Sequence, residues 1–168
     1  MDKELISDWF DYYANDVYRF LIYYMSTPDV EDLVQEVFMR AIDRYPSFKG
    51  ESSPKTWLIS IARHLAIDET RRQNRKDWRK LIKTHSFHTE ISPEDQQISE
   101  ERKIVLHQAI EKLKDDYRSV VILRGIEELS VTETAQVLKW TESKVRVTFH
   151  RALKVLKSEV KEVRYESS

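Results

Sequence analysis

The 168 residues carry 28 Lys and Arg against 29 Asp and Glu, with 40% hydrophobic and 34% charged residues, 2 Gly, 4 Pro and no Cys. Leu, Ile, Val and aromatics suffice to fill a core, so disorder throughout is excluded, and the absence of Cys excludes a disulfide framework, a thiolate zinc site and a cysteine nucleophile. Apolar runs such as Phe20 to Met25 are far shorter than the roughly 20 residues of a membrane span, and Met1-Asp2-Lys3-Glu4 has no signal-peptide character, so a reducing cytoplasm is the expected compartment.

Leu5 to Met25 carries Trp9, Phe10, Tyr13, Val17, Phe20, Leu21 and Tyr24 at helical spacing, which predicts a long amphipathic helix with that stripe in the core. Thr27-Pro28 then reads as a helix start, with Asp29, Glu31 and Asp32 in the first turn and Val30, Leu33, Val37 and Ala41 inward. That helix should end before Tyr45-Pro46, leaving a loop from Ser47 to Ser52. Ser53-Pro54 opens a third helix on Trp57, Leu58, Ile61, Ala62 and Leu65, free to run on into the basic stretch that follows. From Arg75 to Ser92 the period weakens, as expected of a linker. Ser92-Pro93-Glu94 is another helix start, with Ile98, Ile104, Val105, Ala109, Ile110 and Leu113 continuing the pattern. Asp115 or Asp116 is expected to cap the next helix, and Gly125 to stop it. Ser130-Val131-Thr132-Glu133 has capping-box spacing for a short helix to Leu138, and Thr141 caps a long one with Val145, Phe149, Ala152 and Leu156 inward. No alternating strand pattern occurs, so the expected fold is all-α, as two small helical domains joined by a linker.

The near-neutral total hides segregated charge. Arg71, Arg72, Arg75, Lys76, Arg79, Lys80 and Lys83 face only Asp77 over Arg71 to Lys83, and Lys144, Arg146, Arg151, Lys154 and Lys157 meet no acid between Ser143 and Ser158. Two basic runs, each tied to a patterned helix, suit an anionic polymer. Val131 to Leu138 and the helix from Glu142 are separated by Lys139-Trp140-Thr141, which fits a helix-turn-helix whose outer face carries Lys144, Val147, Thr148, His150 and Arg151. The same pattern fits an αα-hairpin with a solvated basic face. In the third helix Lys55, Arg63, Arg71 and Arg72 accompany Phe48, Trp57 and the polar loop Lys49 to Ser53, a mixture suited to unpaired nucleic acid. Asp32, Gln35 and Glu36 share one helix face and can dock a basic helix. Phosphate-loop, dinucleotide and zinc-protease motifs are absent, and His85 with His88 lacks further ligands, so neither catalysis, cofactor nor metal is expected.

The string Val30-Glu31-Asp32-Leu33-Val34-Gln35-Glu36-Val37-Phe38, then Phe48, Pro54 to Asp68 and Arg71-Arg72, resembles the bacterial sigma-70 family, in particular its small extracytoplasmic-function (ECF) group, and the helix-turn-helix from Leu129 to Leu156 resembles that family's promoter-reading domain. The resemblance implies a sigma factor that binds core RNA polymerase and directs promoter-specific initiation. The implied domains are region 2 over 1–75, a linker over 76–102 and region 4 over 103–164. Asp32, Gln35 and Glu36 match the polymerase-binding face. Lys49, Ser52, Ser53, Lys55, Arg63, Arg71 and Arg72 match −10 contacts, and Lys144, Arg146, Val147, His150 and Arg151 match −35 contacts. The implied partners are the clamp of the largest polymerase subunit, the flap of the second largest, promoter DNA and an anti-sigma factor, often membrane-bound. Thr141-Glu142-Ser143-Lys144 and Val147 depart from the family's usual opening of the recognition helix, so the promoter sequence does not carry over.

Overall fold

The computed structural model describes residues 2–77 and 100–166. Among them every regular element is helical. The chain divides into two compact units, Met1–Ser86 and Phe87–Ser168. Most of the stretch read as a linker, together with Ser92-Pro93 and the His85/His88 pair, lies outside the described residues.

The first unit is a three-helix bundle of α1 (Asp2–Met25), α2 (Glu31–Arg44) and α3 (Pro54–Asp77), each packed on the other two. Val17, Phe20, Leu21 and Tyr24 of α1, Val34, Val37, Phe38 and Ala41 of α2, and Leu58, Ile61, Ala62 and Leu65 of α3 are buried together. Removing this much apolar side chain from water is the main stabilising term. Phe10 departs from the expected stripe: it is 43% exposed and only edges onto Phe38. Leu33 is likewise only half-buried, its place taken by Val34.

Thr27-Pro28 does not start α2. The Asp29 amide donates to Thr27 Oγ1 at 3.2 Å and the Val30 amide to the Pro28 carbonyl at 3.0 Å, so the hydroxyl closes a turn instead of capping the helix. Buried Val30 becomes the N-cap, without a side-chain bond, and Asp29 stays outside the helix. After α2 a single 3₁₀ turn, Tyr45–Ser47, leads into the loop. Ser53 does cap α3, accepting the Thr56 amide at 3.1 Å.

In the second unit α4 (Glu100–Glu111), α5 (Asp115–Val121) and α6 (Val131–Leu138) all pack on α7 (Glu142–Glu166). Lys114 is the N-cap of α5, with Asp115 and Asp116 in the first turn beside the positive helix end. Gly125 does not stop this helix. It sits inside a π-helical turn, Ile122–Ile126, and the chain reverses at Glu128, which takes the left-handed conformation at φ 56°. The capping box is formed in full: the Glu133 amide donates to Ser130 Oγ and the Ser130 amide to Glu133 Oε1, both at 3.0 Å. Ser130→Ala should cost about 1 kcal/mol in α6. Hydrogen exchange at the Glu133 and Thr134 amides reads it as faster opening, and unchanged exchange would contradict the cap.

The inward side of α4 differs from its expected apolar stripe. Ile104 is exposed, whereas Lys103 and His107 are buried beside Ile110. Lys103 Nζ has no hydrogen-bond partner among the described residues. Burial first, and the Lys103 charge second, lower the His107 pKa to about 4. Between that value and the ordinary 6.5, the unfolded chain binds a proton that the folded one refuses. Stability should therefore fall as pH drops from about 6.5 toward 4, by up to about 1.4 kcal/mol per pH unit. An NMR titration of the His107 imidazole should show a midpoint near the lowered value, and an ordinary midpoint would remove this pH term.

Candidate functional site

On α2, Asp32 and Gln35 are exposed and Glu36 is half-buried, its Oε1 accepting from Arg40 Nε at 3.2 Å. Their offsets of three and four residues put them on one face. Asp32, Glu36 and Arg40 line a cavity of about 540 Å³ against the second half of α3, where Asp68, Glu69 and Arg72 complete the polar wall. Arg72 is held there by Glu69, through Nε to Oε2 at 3.1 Å and Nη2 to Oε1 at 2.8 Å. That hydrogen bonding, and the Glu69 charge after it, push the Arg72 pKa further above its ordinary value. The structure thus places Arg72 with Asp32 and Glu36 in one groove, away from Arg63 and Arg71, which lie on another flank of α3.

The loop between α2 and α3 stands on an aromatic cluster. Trp9 meets Tyr45, Phe48 and Trp57 edge-on at 5.8, 5.6 and 6.0 Å, and Phe48 lies 4.8 Å from Trp57. Such edge-to-face contacts fix ring positions beyond what area burial alone gives. Trp57 is half-buried in this cluster rather than fully in the core. Above it Lys49, Gly50, Glu51 and Ser53 are exposed and Ser52 is half-buried. Gly50 takes φ +70°, a conformation that costs any other residue strain although space for a Cβ is open. The Ser53 hydroxyl is engaged in the cap, and Lys55 Nζ lies 3.7 Å from Asp16. Arg63 is half-buried, its Nε without a hydrogen-bond partner among the described residues, while Arg71 is exposed.

In the second unit α6, a three-residue turn and α7 form the helix-turn-helix. Lys139, at φ 57°, occupies the left-handed position where a Gly is usual, and Thr141 Oγ1 accepts the Lys144 amide at 3.1 Å to cap α7. Thr132 Oγ1 donates to Glu142 and so ties the two helices together. Val145 and Ala152 are buried, with Phe149 half-buried beneath Arg124. This inward set turns Lys144, Val147, His150, Arg151 and Lys154 outward on one exposed face. Lys144 Nζ sits 4.2 Å above the Trp140 ring, and Arg146, at the edge of the face, lies 3.9 Å from Glu142. Arg151 has no ion-pair partner among the described residues.

Three features escape the sequence pattern. Asp68 and Glu69 join the α2 groove, signalled only by their spacing from Arg72. Met39, 61% exposed, sits seven residues after Asp32 and so on the acidic face. The Trp140 ring under Lys144 comes from the turn, which periodicity does not read. Among the described residues no group of three His, Asp or Glu side chains is placed to hold a metal, and no helix is long and apolar enough to cross a membrane.

The first unit thus carries acids on the outer face of α2, and the second a helix-turn-helix with a cationic outer face. The profile of Sigma-70 region 2 matches residues 9–76 and that of Sigma-70 region 4 matches residues 103–156. The chain belongs to the ECF group of the sigma-70 family, RNA polymerase sigma factors that act in transcription initiation and are not enzymes. It is 39% identical to the ECF sigma factor SigX of Bacillus subtilis over 164 residues, covering 94% of this chain and 84% of SigX. It is 30% identical to SigW of the same organism, covering 96% and 92%, and 31% identical to the sigma-E factor of Escherichia coli, covering 88% and 82%. Among solved structures it is similar to the sigma factor RpoE of Bartonella quintana in complex with the anti-sigma factor NepR, with a TM-score of 0.75, 24% identity, and 92% and 96% of the two chains covered. CnrH, in complex with the cytosolic domain of CnrY, gives 0.67 at 18% identity, covering 95% and 90%.

Proposed function

We propose a division of labour for this sigma factor in which α2 docks core RNA polymerase, the α2–α3 loop with α3 engages the −10 element, and α7 reads the −35 element as duplex. The observation that carries it is the separation of charge between two faces: α2 exposes Asp32 with half-buried Glu36 beside it, and α7 exposes Lys144, Arg146, Arg151 and Lys154. An acidic face repels DNA and attracts a basic protein helix, here assigned to the clamp of the largest subunit. A cationic helix of this width fits the major groove, where Lys144, Arg146, His150 and Arg151 meet base edges or phosphates and Val147 can meet a thymine methyl. Lys49, Ser52, Lys55, Arg63 and Arg71 surround the loop and α3 surface where an unpaired −10 strand is placed. Ser53 supports that loop through its cap, and Arg72 reaches DNA only by leaving Glu69. The flap of the second largest subunit is assigned to the second unit.

An anti-sigma factor is part of this proposal, supported by the partner seen with RpoE, which has the same fold. Polymerase and promoter together place the protein in the cytoplasm. Fluorescence anisotropy of the labelled chain, titrated separately with core polymerase and with free duplex from upstream of its own gene, tests the scheme. Tight core binding with weak, salt-sensitive duplex binding is expected. Specific binding of paired half-sites without affinity for core would overturn it in favour of a stand-alone repressor.

A further inference from the structure

Trp140 stands in the turn of the helix-turn-helix, half-buried and held from both sides. Before it, Lys139 takes the left-handed conformation at φ 57°, and the Trp140 amide itself donates to the Ala135 carbonyl at 3.1 Å. After it, the Thr141 hydroxyl accepts the Lys144 amide at 3.1 Å and closes the first turn of α7. The turn is therefore pinned to the end of one helix and the start of the next, and the indole is a firm platform. Lys144 Nζ lies over its face, 4.2 Å from the ring.

An aromatic face attracts a cation, Trp most strongly. The contact offsets the main weakness of lysine as a DNA ligand, a long stem whose rotamer freedom is lost on binding. Glu142, the acid nearest in sequence, does not compete: it lies two residues away, on another side of the helix, and accepts from Thr132 Oγ1. Trp140 precedes α7, so an ammonium over its ring is drawn back toward the turn, away from the row of Val147, His150 and Arg151. A compact point charge at that edge suits a phosphate, which positions the helix, whereas base edges in the groove specify it. We propose that Trp140 is a positioning residue that holds the Lys144 ammonium for a backbone phosphate bordering the −35 element. This inference rests on the reading that α7 enters the −35 duplex.

A double-mutant cycle tests it, because positioning acts only through Lys144 whereas a structural role of the ring does not. The measurement is the affinity of core polymerase saturated with the full chain for a promoter fragment selected by run-off transcription, over a series of salt concentrations. Trp140→Leu is expected to weaken binding about two- to fivefold, the worth of one exposed cation–π contact, and Trp140→Tyr to stay within about twofold of wild type. Lys144→Gln should weaken it at least as much and lower the salt slope by about one. In the Lys144→Gln background, Trp140→Leu should add nothing. In the free protein, NMR should find the Lys144 Cε protons shifted upfield by the indole ring current, and the shift should vanish in Trp140→Leu. If Trp140→Leu costs as much without Lys144 as with it, or if those protons resonate at their ordinary position, the positioning role is refuted while α7 stands as the −35 reader. If Lys144→Gln and Arg151→Ala both leave promoter affinity unchanged, the reading of α7 falls as well.

Discussion

Replacing Asp32, Gln35 and Glu36 together by alanine is expected to weaken core polymerase binding by about 2 to 4 kcal/mol, thirtyfold or more, and to leave duplex binding unchanged. The three side chains share one face of α2, two of them exposed, so their main loss is in the complex rather than in the fold. Some folding cost remains. Asp32 lies in the first turn of α2, where a negative charge is worth about 0.3 to 1 kcal/mol, and Glu36 gives up an exposed pair with Arg40 worth about 0.3 to 0.5 kcal/mol. Circular dichroism should therefore show a folded bundle with a slightly lower midpoint. Equal polymerase affinity for variant and wild type would remove α2 as the docking face.

The second large effect concerns DNA. Arg151→Ala should cost about 1 to 3 kcal/mol in recognition of the −35 element by the holoenzyme and relax specificity at one base position, while core binding stays intact. Arg151 projects from the exposed face of α7, one turn after Val147 and turned away from buried Val145 and Ala152. No partner among the described residues holds it back from a base edge. Arg146 is the contrasting case, because Glu142 competes for its guanidinium. Lys154, on the same face, should instead act on phosphate: Lys154→Ala is expected to weaken binding evenly across sequences and lower the salt slope by about one. Uniform loss for Arg151→Ala as well would assign it to the backbone rather than to a base.

Helices with strong periodicity and chemically explicit ends were legible from the chain alone. Val17, Phe20, Leu21 and Tyr24 announce the core of α1, and the Ser130–Glu133 box and the Thr141 cap form with the expected bonds. The sequence is ambiguous where one residue type serves two local structures. A Thr-Pro pair precedes either a helix or a turn, and the Asp29 amide decides for the turn. Gly125 marks a stop in most helices, yet here the π-helical turn absorbs it and Glu128 takes the left-handed position. Lys103 and His107 are buried at positions where composition argues for exposure, because tertiary packing on α7 overrides polarity.

The candidate surfaces were legible as residue sets but not as neighbourhoods. Asp32, Gln35 and Glu36 share a face by spacing alone, whereas the groove that Asp32 and Glu36 border depends on how α3 crosses α2. Arg72 shows the difference: sequence groups it with Arg71, and its pairing with Glu69 turns it toward the acids of α2. Met39 is not legible in the sequence, because a single apolar residue on a polar face carries little weight until its exposure is known.

Run-off transcription by purified bacterial core polymerase, with and without this protein, on promoter fragments from its own genome tests the central claim most directly. Defined transcripts should appear only with the protein and disappear with the triple α2 variant for want of core binding. With Arg151→Ala they should weaken while core remains bound. Transcripts that do not depend on the protein, or a chain that fails to bind core while seizing specific duplex alone, would contradict the account.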